Sequence, residues 1–277
     1  MKGDLTLKRS PLILAAILIT VILSACSGER DKHAVNSTAD RIRGEDNSTN
    51  PADSNISQVP SNETAFKEGV RIIKYPGDNA CFTFETADGF QILSDPYMLT
   101  DTLAPDVVVE SHQHGDHADT SQVEGDYALI TEPGEYLFDK AVIKGYEGIH
   151  NKGDKEGTNY IFVTKIGGIT IAHFASQADI PSEEVLEQIG MVDILLVQVF
   201  VKPDYNKLLP SDLPAIVDRL HPKIIIPEHG QSDASEVIAR KLDIVSEAAP
   251  SGELILTREM LDDMKESKVI NLDRIEE

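Results

Sequence analysis

The sequence predicts an α/β fold in which two β-sheets are packed between helices. Short β-rich runs separated by turn residues fill the first half of the folding region, and helical and strand-like segments alternate in the second half. Between the two, a loop crowded with histidine follows a buried apolar run, which is where an α/β sheet edge carries its chemistry.

The elements follow in order. Val70 to Tyr75, Cys81 to Glu85 and Phe90 to Ser94 are β-rich, with the turn signals Gly77-Asp78-Asn79 and Asp88-Gly89 between them, so an antiparallel meander is expected. Asp106 to Glu110 holds the apolar run Val107-Val108-Val109 and reads as a buried strand. Tyr127 to Thr131, Ala141 to Lys144, Asn159 to Lys165 and Ile169 to Phe174 extend the sheets, and Gly134 and Glu135 read as a tight turn between strands. Ser182 is placed to N-cap a helix in which Val185, Leu186 and Ile189 recur at helical spacing. Val192 to Phe200 and Lys223 to Pro227 read as strands, and Ser211 to Leu220 and Glu236 to Glu247 as helices. No internal repeat is present.

The chain before Phe66 has a different character. Lys2, Lys8 and Arg9 precede an apolar run from Pro11 to Leu23 that is too short to span a bilayer comfortably, and Ser24-Ala25-Cys26 follows. This layout resembles a bacterial lipoprotein signal, which implies cleavage before Cys26, lipid on that residue and a membrane-anchored, extracytoplasmic protein of the cell envelope. Residues 27 to 65 contain no aromatic residue and are rich in Ser, Asn, Asp and Thr, too little apolar surface to offset the entropy of ordering. The expected organisation is therefore a signal at 1–25, a disordered tether at 26–65 and a folded domain at 66–277.

Charge narrows the partners. The formal net charge is -22, and trimming the signal makes it more negative, so DNA and RNA are excluded as partners because polyanion binding rests on Lys and Arg. With Cys26 lipidated, Cys81 has no disulfide partner and reads as a packing residue beside Phe82 and Phe84.

The histidine loop is Ser111-His112-Gln113-His114-Gly115-Asp116-His117-Ala118-Asp119. Its H-x-H-x-D-H spacing gathers nitrogen and oxygen donors suited to zinc, manganese or iron. His150 and His229 each end an apolar or β-like run, where a sheet-edge ligand would project. His173 lies inside the apolar strand Ile171 to Phe174, which favours a hydrogen-bonded core histidine or one that supports a ligand from behind. Asp95, before Pro96, suits either a turn or the orientation of a metal-bound histidine.

With Asn79-Ala80-Cys81-Phe82, Ser94-Asp95-Pro96-Tyr97, the histidine loop, Glu132-Pro133-Gly134-Glu135-Tyr136 and Ile226-Pro227-Glu228-His229 in this order, the chain resembles the metallo-β-lactamase superfamily over residues 67 to 277. It is most similar there to small zinc-dependent hydrolases allied to the ascorbate-phosphate lactonases. The resemblance implies a four-layer αββα sandwich and two divalent ions, with His112, His114 and His150 holding one and Asp116, His117 and His229 the other. It also implies that Asp116 accepts a proton and orients the attacking water. Where the family has Gly-Asp, whose carboxylate bridges the ions, this chain reads Ala175-Ser176, so a single ion is expected if the bridge is lost, with Asp179 as a candidate substitute. Gln198-Val199-Phe200-Val201 replaces the usual Pro-Val-Gly-Gly and alters the pocket wall. The expected function is metal-dependent hydrolysis of a small-molecule ester, lactone, amide or phosphoester. The alternative is a non-catalytic metal- or ligand-binding lipoprotein.

Overall fold

The computed structural model describes residues 66–77, 79–200, 206–229, 233–249 and 251–272. The expected signal at 1–25, the lipidation at Cys26 and the tether at 26–65 lie outside the described residues. Among the described residues, no helix is long and apolar enough to cross a membrane.

The described residues form two sheets. β1 (Val70–Lys74), β2 (Phe82–Thr86) and β3 (Gln91–Ser94) make the expected antiparallel meander. β4 (Val107–Val109) and β5 (Ala128–Ile130) then add in parallel, and β13 (Glu253–Leu256) pairs with the free side of β1 to complete six strands. The second sheet begins with four antiparallel strands, β6 (Gly134–Leu137), β7 (Ala141–Gly148), β8 (Asn159–Ile166) and β9 (Ile169–His173). It continues in parallel through β10 (Ile194–Val197), β11 (Ile224–Pro227), β14 (Lys268–Asn271) and β12 (Val245–Ala248), eight strands in all.

Strand alternation distributes the core. Phe82, Phe84, Ile92, Val107 and Val109 of the first sheet meet Phe162, Ile171, Ile194, Leu196 and Ile226 of the second in one buried cluster. Their neighbours Ile161, Val163, Leu195, Val197 and Ile225 face the other way and pack against Leu186, Ile189, Leu213, Ile216 and Ile238 of helices α1 (Glu183–Ile189), α2 (Leu213–Leu220) and α3 (Ala234–Leu242). β10 and β11 are buried at every position, which explains their unbroken apolar sequence. Each such Ile or Leu contributes about 1.5–3 kcal/mol. The outer face of the six-stranded sheet carries a smaller cluster of Cys81, Leu93, Leu99 and Val108 under Tyr75, Leu103, Val123 and Tyr127. Burial pushes the Cys81 thiol up to about 12, so it is an inert packing group.

Ser182 caps α1 as predicted, its hydroxyl accepting from Val185 N at 3.2 Å, an interaction of about 1 kcal/mol. Three expectations change. Gly134 and Glu135 are not a turn but open β6, an exposed edge strand without the apolar alternation that marks a strand in sequence. The helix expected over Glu236 to Glu247 stops at Leu242, where Asp243 adopts a left-handed conformation, and Val245 to Ala248 form an edge strand instead. β13, β14 and α4 (Arg258–Asp263) were not foreseen.

β3 and β4 run parallel in one sheet, and β7, β9, β10 and β11 run the same way in the other. Loops leaving the C-terminal ends of these strands carry every candidate ligand.

Candidate metal centre

Five imidazoles converge at this edge. His112, His114 and His150 form a triangle with ring centroids 4.6–4.8 Å apart, His117 lies 4.0 Å from His112, and His229 lies 5.0 Å from His117. The donor atoms of His112, His114 and His150 all lie within 4.8 Å of one another, as do those of His112, Asp116 and His117. His112 therefore stands between two neighbouring donor groups.

The second group centres on His117 Nε2. His229 Nε2 is 3.0 Å away, Ser176 Oγ 3.4 Å and Asp116 Oδ2 3.8 Å. Two nitrogens bound tetrahedrally to one zinc ion stand about 3.4 Å apart, given bonds of about 2.0–2.1 Å. The donors are thus already spaced for a common cation, and their chemistry suits one.

The supporting side chains explain why the Nε2 atoms face inwards. Asp95 is fully buried at the end of β3, and its Oδ2 accepts from His117 Nδ1 at 2.7 Å. Its two oxygens also accept from Ser111 N and Ser111 Oγ, each at 2.7 Å, while Ser111 Oγ lies 3.0 Å from His112 Nδ1. One carboxylate thereby positions both ends of the histidine loop, the pattern by which ligating histidines are commonly oriented. Burial works to raise the Asp95 carboxyl, but His117, His173 and the Ser111 amide outweigh it and hold it at about 2. Asp95 also has a positive φ of 49°, as does Ala175 at 50°, so the loops after β3 and β9 carry left-handed residues beside the centre.

His150 follows β7. Asn151 Nδ2 lies 2.9 Å from its Nδ1, and its carbonyl accepts from Lys207 Nζ. Lys207 also donates to Ser176 O at 3.2 Å, tying the two loops together. Desolvation lowers the Lys207 ammonium to about 8, with Asp154 and Asp116 opposing that shift. Gln177, buried one residue beyond Ser176, accepts through Oε1 from Ile149 N and Asn159 Nδ2. A Cβ at Gly148 would stand 2.2 Å from Gln177 Oε1 and would displace that amide from its two donors.

The structure thus gathers His112, His114, Asp116, His117, His150, Ser176 and His229, with Asp95 and His173 behind them. Asp179 is not brought in. It is exposed, its carboxylate accepts from Ile180 N at 2.9 Å, and the turn after Gln177 directs it outward. Lys207, Gln177 and Glu228 were missed as supporting residues. A carboxylate directly after the buried run Ile224-Ile225-Ile226-Pro227 was the available signal for Glu228.

Burial, followed by the neighbouring His117 imidazole, pushes His112 down to about 2, and burial followed by Lys207 pushes His150 down to about 4. Both folded values lie below the unfolded value of about 6.5, so the unfolded chain takes up protons first as pH falls. These two groups leave stability intact above about pH 6.5 and subtract from it as pH falls towards 4. In EDTA-treated protein, the urea midpoint is expected to be lower at pH 5 than at pH 7, and His112→Gln should shrink the difference. An unchanged difference in that variant would remove this assignment.

A cavity of about 690 Å³ opens on the His112, His114 and His150 side, with further walls from Thr131, Glu132 and Tyr160. Its volume suits a small molecule.

The family profile described as "Beta-lactamase superfamily domain" matches residues 73–229, more than half of the chain. The chain belongs to the beta-lactamase superfamily. The match runs from β1 to His229 and so contains every candidate ligand of this superfamily member. Among solved structures, it is similar to a Thermotoga maritima protein described as a Zn-dependent hydrolase of the metallo-β-lactamase superfamily. The two share 27% identity, with a TM-score of 0.57 over 73% of this chain and 98% of the other. A Parabacteroides distasonis protein described as a metal-dependent hydrolase matches at 15% identity and a TM-score of 0.51, over 64% and 91% of the respective chains. No curated protein matches.

Proposed function

We propose that this chain is a metal-dependent hydrolase of a small-molecule ester, lactone, amide or phosphoester, held at a bacterial cell envelope by lipid on Cys26. The observation that carries the catalytic part is the convergence of His112, His114 and His150 at the floor of the 690 Å³ cavity, beside the His117 group. His112, His114 and His150 would hold one divalent ion, and Asp116, His117 and His229 a second. Such ions, zinc first among them, supply Lewis acidity that lowers the pKa of water and takes up charge on a carbonyl or phosphoryl oxygen. Asp116, half-exposed and facing His117, accepts the proton of the attacking water and fixes its direction. Thr131, Glu132 and Tyr160 shape the cavity around the substrate.

Hydrolysis of at least one member of an ester, lactone, amide and phosphodiester panel is expected with zinc-loaded protein. EDTA should abolish it, zinc should restore it, and His114→Ala should remain inactive after zinc is returned. Activity that survives EDTA, or none on the whole panel, would overturn the reading. The second outcome favours a binding protein, for which Ser176 at 3.4 Å from His117 Nε2 speaks: a neutral hydroxyl stands where the resemblance calls for a bridging carboxylate.

A further inference from the structure

Behind the ligands lies a second polar system. Glu228, 1% exposed, places Oε2 2.6 Å from His173 Nε2, and His173 Nδ1 lies 2.8 Å from Ser94 Oγ. His173 Nε2 is also 3.8 Å from Asp95 Oδ2, and its ring meets Phe82 edge-on with centroids 5.9 Å apart. Glu228 follows β11, His173 ends β9 and Ser94 ends β3, so the chain of contacts crosses from one sheet to the other. By geometry neither Glu228 oxygen nor His173 Nε2 makes a hydrogen bond among the described residues, so their 2.6 Å contact is a close ion pair.

A core does not keep such groups for packing alone. A buried carboxylate that is only partly satisfied costs more than an apolar residue of the same size. What distinguishes this set is its register. Glu228 immediately precedes His229, and Ser94 immediately precedes Asp95, which holds His117. Of the two imidazoles whose Nε2 atoms stand 3.0 Å apart, His229 is therefore one residue from one end of the brace, and His117 is held by Asp95, the residue next to the other end. Among the described residues, the His112, His114 and His150 group is tied to the brace less directly: His112 reaches Asp95 only through Ser111 Oγ, and the other supports are Asn151 and the Lys207 and Gln177 contacts.

We infer that Glu228, through His173 and Ser94, is a positioning residue that sets the separation of His229 and His117 and so governs occupancy of the second metal position selectively. The inference rests on the metal-binding reading above. Burial disfavours a proton on His173, but Glu228 and Asp95 outweigh it and raise its pKa above the ordinary histidine value, in keeping with the 2.6 Å contact.

The test is metal binding, independent of turnover. Wild type, Glu228→Gln and Glu228→Ala are loaded with zinc, and the ions per chain and their stepwise affinities are read by competition with a chromophoric chelator. Cobalt substitution reports the geometry of each position by its visible spectrum, and the melting of EDTA-treated protein controls for folding. Glu228→Ala is expected to weaken the second ion by about 10- to 100-fold, the range for residues that orient ligands, while the first keeps its affinity. Glu228→Gln should recover part of the loss, because an amide oxygen of the same shape keeps a polar contact with His173 Nε2 without the charge. If Glu228→Ala does not fold, Glu228→Gln alone should weaken the second ion selectively. Equal weakening of both ions, or of neither, in a folded variant overturns the inference while leaving the metal-binding reading standing. A wild type that binds no zinc overturns that reading, and the inference with it.

Discussion

Replacing Asp95 with alanine is expected to weaken binding of the second metal ion and, at the same time, to destabilise the metal-free domain. Ser111 N and His117 Nδ1 would each lose a 2.7 Å partner in a fully buried setting, a cost of about 1–3 kcal/mol apiece. His117 would then be free to rotate or to change tautomer, and affinity for the second ion should fall by about 10- to 100-fold. Asp95→Asn separates the two effects. Its remaining oxygen can accept from the Ser111 amide, so most stability returns, but an amide nitrogen facing His117 cannot fix the tautomer that presents Nε2 to a cation. Elemental analysis after dialysis and urea unfolding in EDTA read the two quantities independently. An alanine variant that keeps both its ions and its urea midpoint would show that Asp95 serves only the turn.

That experiment bears on what the sequence could show. For Asp95 it offered two roles, a turn residue and an orienter of histidine, and the structure joins them. The left-handed φ of 49° is the turn, and that turn aims the carboxylate at Ser111 and His117. The strands around the centre were legible because their apolar runs are short, buried and bounded by turn chemistry, and the histidine loop because H-x-H-x-D-H is dense enough to stand out. The supporting contacts were not. His173 and Glu228 are 55 positions apart, and their pairing depends on β9, β10 and β11 lying side by side, which no local spacing announces. Lys207 reaches two backbone carbonyls, and a carbonyl has no signature in sequence. β6 and β12 were hidden for another reason. They are edge strands with mostly exposed side chains, so the alternation that identifies a half-buried strand is missing.

Restoring a carboxylate at Ser176 is expected to strengthen the second metal position. Ser176 is buried, and its Oγ lies 3.4 Å from His117 Nε2, close enough for an aspartate to enter the same donor set. Ser176→Asp adds a hard anionic ligand in place of a hydroxyl, and a tenfold gain in affinity is a modest expectation. At saturating zinc, that gain adds about 1.4 kcal/mol to the stability of the loaded protein. The sign reverses without metal. A new buried carboxylate beside Asp116 then has no cation to offset its desolvation and repulsion, so the EDTA-treated variant should unfold at lower urea than wild type. The neighbouring backbone sharpens the comparison. Ala175 holds a φ of 50°, a left-handed conformation that costs an alanine about 1–2 kcal/mol and a glycine almost nothing. Ala175→Gly with Ser176→Asp should therefore recover metal-free stability while keeping the gain in zinc. The opposite signs in zinc and in EDTA form a signature that mere repacking would not produce. If Ser176→Asp leaves zinc affinity unchanged, residue 176 does not reach the ion, and the two donor groups are bridged by something other than the chain after β9.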